Sequence, residues 1–191
     1  MVGLRARNKA RTRAEIQRHA LRLFREQGYA NTTVDQIAEA AEITQSTFFR
    51  YFPAKEDVVL SDDYDERIVA AFHAQPVELR SIEALRRAIR QVYDRLPPEE
   101  LVQEWERISL AQSVPEVRAR AFDAYLGGIQ MVAEVMAKRA GRQSDDPAVR
   151  TFAGALVGVL MSVMLLEPRT LAEYLALMDD ALVQFEAGFE F

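Results

Sequence analysis

Residues 33–57 read TVDQIAEAAEITQSTFFRYFPAKED and predict two short helices separated by a tight turn. Thr33 and Gln36 have the spacing of a capping box, in which each side chain bonds the backbone N–H of the other residue. Thr44 is the next N-cap, and it opens a helix predicted over residues 45–51. Two short helices in this order indicate a helix-turn-helix.

The second of these helices carries hydrogen-bonding side chains opposite Phe48 and Phe52, which are expected to face the core. Short or fork-shaped polar groups suit the base edges of a major groove, where Gln45 can pair with adenine and Arg50 with guanine. Neighbouring hydroxyl and ammonium groups suit phosphates. We therefore predict that eight residues contact DNA. These are Thr33, Thr44, Gln45, Ser46, Thr47, Arg50, Tyr51 and Lys55.

The charge distribution indicates the same end of the chain. Residues 1–25 carry eight basic residues and one acidic residue, although the net charge of the whole chain is −5. Residues 61–191 carry fourteen basic and twenty-two acidic residues. A basic head on an acidic body predicts that the head meets a polyanion. The first helix is predicted over residues 12–27 and ends at Gly28, and the basic segment before it is predicted to be an arm that follows the DNA backbone or enters the minor groove.

The rest of the chain has helical periodicity throughout, with proline in several first turns. A fourth helix is predicted over residues 55–74, and five longer ones over residues 81–96, 98–112, 115–141, 147–166 and 170–185. The sequence therefore predicts an all-α chain of about nine helices. We assign residues 1–57 to a helix-turn-helix DNA-binding domain that contains three helices, and residues 58–191 to a helical domain for effector binding and dimerisation.

What the sequence lacks excludes other classes of protein. There is no cysteine, and the two histidines, His19 and His73, have no metal-binding spacing, so we expect no catalytic residue, no metal and no cofactor. The basic start has no apolar segment after it, so we expect no secretory signal. The uncharged run over residues 151–166 is shorter than the ~20 residues that span a bilayer, so we expect a cytoplasmic protein without a membrane partner.

Residues 12–59 resemble the DNA-binding domain of the TetR family of regulators. The stretch quoted above matches that family's usual T-V-x-x-I-A-x-x-A-G-V-S-x-G-T-L-Y-x-Y-F-x-S-K-E-x-L at the same spacing. The resemblance implies a homodimer built mainly from the last two helices, and a ligand pocket in the body that controls the spacing of the two DNA heads. Three positions depart from the pattern, because Glu42 and Ser46 replace glycines and Phe49 replaces a tyrosine. We expect Phe49 to serve packing.

Two apolar helices at the end of the chain suit this dimer. The run over residues 151–166 is apolar nearly all round, and its Gly154 and Gly158 allow close helix approach. The last helix carries an apolar stripe at Leu171, Leu175, Met178, Leu182 and Phe185. Two such helices from each chain can form a four-helix interface, and an intramolecular core is the alternative.

The ligand is less defined by the sequence. Aromatic and methionine side chains of the body are the candidates to line a pocket, namely Phe72, Tyr93, Trp105, Phe122, Tyr125 and Met131. Residues 96–101 and 113–120 loosely resemble a TetR subgroup linked to acyl-CoA sensing, which suggests an acyl-CoA or fatty-acid-like effector. We expect a repressor that a small apolar ligand releases from a near-palindromic operator. The alternative is a ligand-independent architectural DNA-binding protein, against which the large apolar body argues.

Overall fold

The computed structural model describes residues 4–61 and 64–188. Within these ranges the chain forms ten α-helices and no β-strand, which confirms the predicted all-α fold. The helices are α1 (Leu4–Gln27), α2 (Val34–Ala40), α3 (Gln45–Tyr51), α4 (Lys55–Leu60), α5 (Tyr64–His73), α6 (Ser81–Tyr93), α7 (Pro98–Ser113), α8 (Pro115–Ala140), α9 (Pro147–Met164) and α10 (Leu171–Ala187). The count exceeds the expected nine because one predicted helix is divided.

The first helix is longer than predicted. It begins at Leu4 rather than near Thr12, and the Thr12 hydroxyl donates to the Asn8 carbonyl at 3.0 Å inside the helix instead of capping its start. The segment before Thr12 is rich in arginine, lysine and alanine, which are strong helix formers. The basic segment that we predicted as an arm is therefore the first part of α1 from Leu4 onwards. The end of α1 is as predicted, with Gly28 in the left-handed region at φ 83°.

The caps of α2 and α3 confirm the predicted starts of both helices. The Thr33 hydroxyl accepts from the Gln36 N–H at 3.2 Å, and the Gln36 side chain accepts from the Thr33 N–H at 2.9 Å. The Thr44 hydroxyl accepts from the Thr47 N–H at 3.1 Å. Because these bonds satisfy amides that have no partner within the helix, they fix where each short helix begins.

The predicted fourth helix is interrupted, and its continuity to residue 74 is a wrong prediction. Ser61 is extended, with φ −85° and ψ 122°, so α4 ends at Leu60. The Gln17 amide donates to the carbonyls of Val58 at 2.8 Å and Ser61 at 2.6 Å. These carbonyls lie where a longer helix would use them for its next turn. A side chain of α1 therefore satisfies the end of α4 in place of further helix.

The chain divides into two compact units. The first unit comprises Met1–Ser61 and Glu106–Arg120, and the second comprises Asp62–Trp105 and Ala121–Phe191. The core of the first unit contains buried residues of α1, α2, α3 and α4, together with Phe52, which was predicted to face the core. Its fully or nearly fully buried side chains include Ile16, Ala20, Phe24, Ile37, Ala38, Phe48, Phe52, Val58 and Val59. The predicted functional boundary after residue 57 stays a prediction, since compactness alone does not test it.

In the second unit, α5 packs along α6, and α9 along α10. Buried residues of α5, α6, α8, α9 and α10 form one core. The Arg139 guanidinium holds the turn between α5 and α6, because it donates to the carbonyls of Pro76 at 2.5 Å and Leu79 at 2.9 Å and lies over the Phe72 ring. On α10 the predicted stripe faces inward at Leu182, which is buried, and Tyr174 is a buried residue that the stripe omitted.

Helix α9 is sparsely covered within the chain. It is the one helix in the described part of the chain that is long and apolar enough to cross a membrane, by length and composition only, and core helices of soluble proteins pass the same test. Only 28% of it is buried within the chain, although residues 151–166 are apolar nearly all round. Its exposed residues are mostly small, and they include Ala148, Thr151, Ala155, Gly158 and Ser162.

Candidate nucleic-acid interface

The outer surface of α3 carries the side chains predicted to read bases. Gln45, Ser46 and Arg50 are exposed, and Phe48 on the inner side of the same helix is completely buried. Thr47 is half-buried, and its hydroxyl accepts from the Thr44 hydroxyl at 3.0 Å. The buried phenylalanine fixes the rotation of α3, and that rotation leaves three polar side chains on the surface.

The aromatic residues at the end of α3 divide between core and surface. The Phe49 ring packs edge-on against Phe48, with 5.4 Å between the ring centroids. It is 45% exposed, so only part of the ring has the packing role that we expected. Tyr51 is half-buried, and the Arg50 guanidinium lies 5.5 Å from its ring centroid. The basic α1 reaches this end of α3, because Arg13 lies over the Phe52 ring at 5.2 Å.

Lys55 has a structural role that the sequence did not indicate. Its ammonium group donates to the carbonyls of Tyr29 and Thr32, both at 3.0 Å, and lies 4.0 Å from the Tyr29 ring centroid. These carbonyls belong to the loop that leads into Thr33, the cap of α2. An ammonium group has three donors, so one remains for a phosphate. Lys55 therefore holds the loop before α2, and a DNA contact would use its third donor.

The same loop is anchored a second time. The buried Tyr29 donates its hydroxyl to the Glu56 carboxylate at 2.8 Å. Burial is the main cause that raises the pKa of Tyr29 above its ordinary value, and the hydrogen bond to the Glu56 carboxylate raises it further. The hydroxyl therefore stays protonated at physiological pH and keeps its donor. Thr33, exposed at the end of this anchored loop, is held in place relative to α4.

The turn between α2 and α3 keeps a glycine-like backbone without glycine. Glu42 has φ 54°, its N–H donates to the Glu39 carbonyl at 3.0 Å, and the Ile43 N–H donates to the Ala38 carbonyl at 2.9 Å. This pair of bonds is a Schellman motif with its left-handed residue at Glu42. The family pattern has a glycine at this position, and glycine adopts a positive φ without strain. The glutamate adopts that φ nonetheless, at a cost in backbone strain.

Residues 106–120 supply contacts to α1 and α4 that sequence reasoning missed. Arg25 of α1 pairs with Glu106 at 2.8 Å, and the Arg107 guanidinium donates to the Ser61 carbonyl at 3.2 Å. Arg120 pairs with Asp57 in the first turn of α4. The partners are distant in sequence, and no local motif marks them.

The six predicted ligand residues differ in exposure, and one of them lines a cleft within the second unit. Phe72 is completely buried in the core, Phe122 and Met131 are 40% and 43% exposed, and Trp105 and Tyr125 are half-buried. Tyr93 lines a cleft of about 270 Å³ between α6 and α10, and the other five are not among the residues that line it. Its hydroxyl donates to the buried Glu104 carboxylate at 3.2 Å.

Side chains that could bind a metal ion are not clustered in the described ranges. Within residues 4–61 and 64–188, no group of three or more histidine, cysteine, aspartate or glutamate side chains is placed to hold a metal ion. His19 is half-buried on α1, near Glu15 and Arg18.

Comparison with family models matches both parts of the chain. The model described as bacterial regulatory proteins of the tetR family matches residues 16–61. The model described as the MftR C-terminal domain, which is a TetR C-terminal model, matches residues 79–190. Together they cover the predicted helix-turn-helix and most of the helical body.

Two curated relatives are transcription regulators. The chain is 45% identical over 101 residues to TcmR of Streptomyces glaucescens, a match that covers 52% of this chain and 45% of TcmR, so it spans less than half of that relative's length. It is 28% identical over 169 residues to the mycofactocin biosynthesis regulator MftR of Mycobacterium tuberculosis, covering 82% of this chain and 79% of MftR.

Solved structures share the fold across nearly the whole chain. FadR of Thermus thermophilus, a TetR-family repressor solved with lauroyl-CoA, is 24% identical, covers 94% of this chain and 95% of its own, and superposes with a TM-score of 0.58. A TetR-family regulator from Syntrophomonas wolfei is 18% identical, covers 95% and 97%, and gives a TM-score of 0.61. At this level of identity the likeness establishes the fold.

Proposed function

Because the chain belongs to the TetR family of bacterial transcriptional regulators, we propose that it represses its target genes from a near-palindromic operator until a small, apolar ligand releases it. Regulators of this family bind DNA and dimerise, and they are not enzymes. We assign residues 1–57 to DNA binding and residues 58–191 to effector binding and dimerisation.

The observation that carries the DNA-binding part is the exposed polar side of α3. Gln45, Ser46 and Arg50 are exposed above a buried Phe48, in a helix of the size and position that enters a major groove. Gln45 and Arg50 are proposed to read bases, and the remaining predicted residues to contact bases or phosphates. Those are Thr33, Thr44, Ser46, Thr47, Tyr51 and Lys55.

The dimer is proposed to form through α9 and α10. A Cβ atom added at Gly154 or Gly158 would meet no atom of the described residues within 4 Å, so this chain does not use the space that these glycines leave. The corner after α9 also exposes Leu165 and Leu166 by 62% and 57%. An apolar surface of small residues at the end of the chain supports a close four-helix interface with a second copy.

The effector is proposed to be acyl-CoA-like or fatty-acid-like, and the protein to act in the cytoplasm. The match to the MftR C-terminal model supports a body of the kind that carries effector sites in this family. FadR of Thermus thermophilus, which shares the fold, was solved with lauroyl-CoA. A ligand can release DNA only if it binds more tightly to a dimer conformation whose two DNA-binding domains are spaced wrongly for the operator.

The test is salt-dependent binding to the DNA upstream of the protein's own gene, beside a scrambled duplex of equal length. Tight binding to the native fragment that weakens with salt supports sequence-specific regulation. Equal affinity for both duplexes favours the alternative of an architectural protein. No binding to either duplex would overturn the assignment of residues 33–57 as a DNA reader. Adding decanoyl-CoA or decanoate to the native complex then tests release.

A further inference from the structure

The cleft between α6 and α10, within the second unit, has an apolar floor and a charged rim. It measures about 270 Å³, slightly below the ~300–1,000 Å³ of sites for drug-sized ligands, so a small ligand fits it. The floor consists of Ile89, Tyr93, Leu175, Ala176, Met178 and Leu182. The rim consists of Arg86, Arg90, Asp94 and Asp179.

Two of the four charged residues on the rim satisfy each other. Arg86 donates from Nε and a terminal nitrogen to the two carboxylate oxygens of Asp179, at 2.7 and 2.6 Å. This two-bond geometry is the strongest that a guanidinium and a carboxylate can form. The charge of Asp179 is therefore balanced within the protein, and the Arg86 side chain, only 24% exposed, directs its charge to this carboxylate.

Arg90 is the cation that remains available. It lies one turn after Arg86, its side chain is 64% exposed, and the Asp179 oxygen at 3.8 Å is beyond hydrogen-bond distance. That oxygen already accepts from Arg86. Arg90 therefore offers a guanidinium with unused donors at the edge of an apolar cleft.

We infer that this cleft binds an amphipathic monoanion, such as a medium-chain fatty acid, with its carboxylate on Arg90 and its hydrocarbon chain on the floor. The remaining rim charge, Asp94, is exposed one turn further along α6 and disfavours a ligand with several negative charges. A single carboxylate is matched by Arg90, whereas the several phosphate charges of a CoA ester are not. The inference deepens the ligand-release part of the proposed function and rests on it for any effect on DNA.

The test uses the full chain and three ten-carbon probes of different charge, below their micelle concentrations. Decanoate, decanol and decylamine are titrated by calorimetry into the unchanged protein, Arg90→Gln, Arg90→Lys and Arg87→Gln. Arg87 is the matched control, because it lies on the same helix and pairs with Glu83 at 2.6 Å outside the cleft. Separately, the methyl NMR signals of Met178 in the cleft and Met136 in the core locate the bound chain.

We expect decanoate to bind more tightly than decanol, and decylamine to bind most weakly. Arg90→Gln should weaken decanoate binding about tenfold, as expected for a lost charge-assisted hydrogen bond, whereas Arg90→Lys and Arg87→Gln should keep most of it. The Met178 signal should move and the Met136 signal should not. Equal binding of decanoate and decanol, tighter binding of decylamine, or a stationary Met178 signal would overturn the inference.

The result is separable from the proposed function. If decanoate binds in the cleft as described but leaves the operator complex intact, the site stands and ligand release by it fails. If another compound releases the operator while decanoate does not bind, the site fails and the proposed regulation stands.

Discussion

The carboxylate of Asp57 is shared between Arg120, whose Nε lies 3.0 Å from one oxygen, and the N–H of Ala54, which donates to the other oxygen at 2.9 Å. Ala54 is the N-cap of α4 and has no side chain that could cap it. Asp57 therefore caps the start of α4, and Arg120 of α8 holds Asp57 in position. That start also carries Lys55, so the pair fixes part of the proposed DNA surface.

Arg120→Gln should lower the free energy of unfolding by about 0.5–1 kcal/mol, because the pair is partly exposed. It should also weaken operator binding without changing its salt dependence, since Arg120 is not proposed to touch phosphate. Urea denaturation and a salt series measure both effects. The control is Arg118→Gln, which removes the same charge from an arginine that donates to the Gln112 carbonyl of the preceding helix at 3.4 Å. Equal effects of the two variants would contradict a specific role for Arg120.

Lys55→Gln should lower both stability and DNA affinity. Stability falls because the carbonyls of Tyr29 and Thr32 lose their donor. If the third donor also binds a phosphate, the slope of log affinity against log salt should become shallower by about 0.9. Lys138→Gln, an exposed lysine at the end of α8, is the control for loss of charge. A weaker complex with an unchanged slope would show that Lys55 positions the loop without touching DNA.

Arg50→Ala should reduce specific operator binding by about 1–3 kcal/mol if Arg50 reads a guanine, with a smaller loss on scrambled DNA. Gln45→Ala should act in the same way at another base pair. Competition titrations with operators substituted at single positions measure the loss of discrimination. Arg95→Ala, an exposed arginine after α6, is the matched control. An equal loss on operator and scrambled DNA would indicate phosphate contact instead of base reading.

Glu42→Gly should raise the free energy of unfolding by about 1 kcal/mol, because glycine adopts a positive φ without the strain that a side chain causes. Glu42→Ala removes the same charge but keeps the Cβ atom, so it separates conformation from electrostatics. Thermal and urea denaturation of both variants check the prediction. If the alanine variant were stabilised as much as the glycine variant, charge rather than backbone strain would be the cause.

The stability contributed by Asp179 should depend on pH. Its hydrogen bonds from Arg86 hold the pKa of the Asp179 carboxyl below its usual range. A carboxyl whose pKa is lower in the folded state stabilises above its unfolded pKa of about 3.9, and this stabilisation is lost as the pH falls through the folded value. Asp179→Asn should therefore cost about 1 kcal/mol at pH 7 and progressively less in acid.

Urea denaturation at neutral and acidic pH measures this difference. Asp145→Asn, at an exposed position, serves as the control and should show little change at either pH. A cost of Asp179→Asn that is the same at both pH values would mean that the ion pair is not its source.

Local signals explain what the sequence predicted well. The start of α2 depends on a hydrogen bond between Thr33 and Gln36, and the start of α3 on one between Thr44 and Thr47. Both partners of each bond lie within four consecutive residues, so the sequence alone contains the complete motif. The rotation of α3 follows equally from Phe48 as its apolar residue. The sequence could therefore predict that Gln45, Ser46 and Arg50 are exposed on that helix.

Long-range contacts explain what the sequence did not predict. The break in α4 depends on Gln17, which is distant in the chain from the Ser61 carbonyl that it bonds. The clamp of Lys55 on the loop before α2 is of the same kind. The sequence did not indicate the cleft, because its charged rim combines residues of α6 and α10 that are far apart in the chain. Choosing candidates as aromatic and methionine residues included Tyr93 but not Arg90.

Because α9 is sparsely covered within the chain, the stability of the folded protein should depend on its concentration. If a second copy covers the exposed side of α9, folding and association are one equilibrium, and mass action makes the apparent melting temperature rise with protomer concentration. A variant purified at high concentration would then look sound although it is largely unfolded at the copy number of a regulator in a cell. The folded fraction of a variant should therefore be measured over a series of dilutions, since a melting temperature at one high concentration would hide the loss of stability.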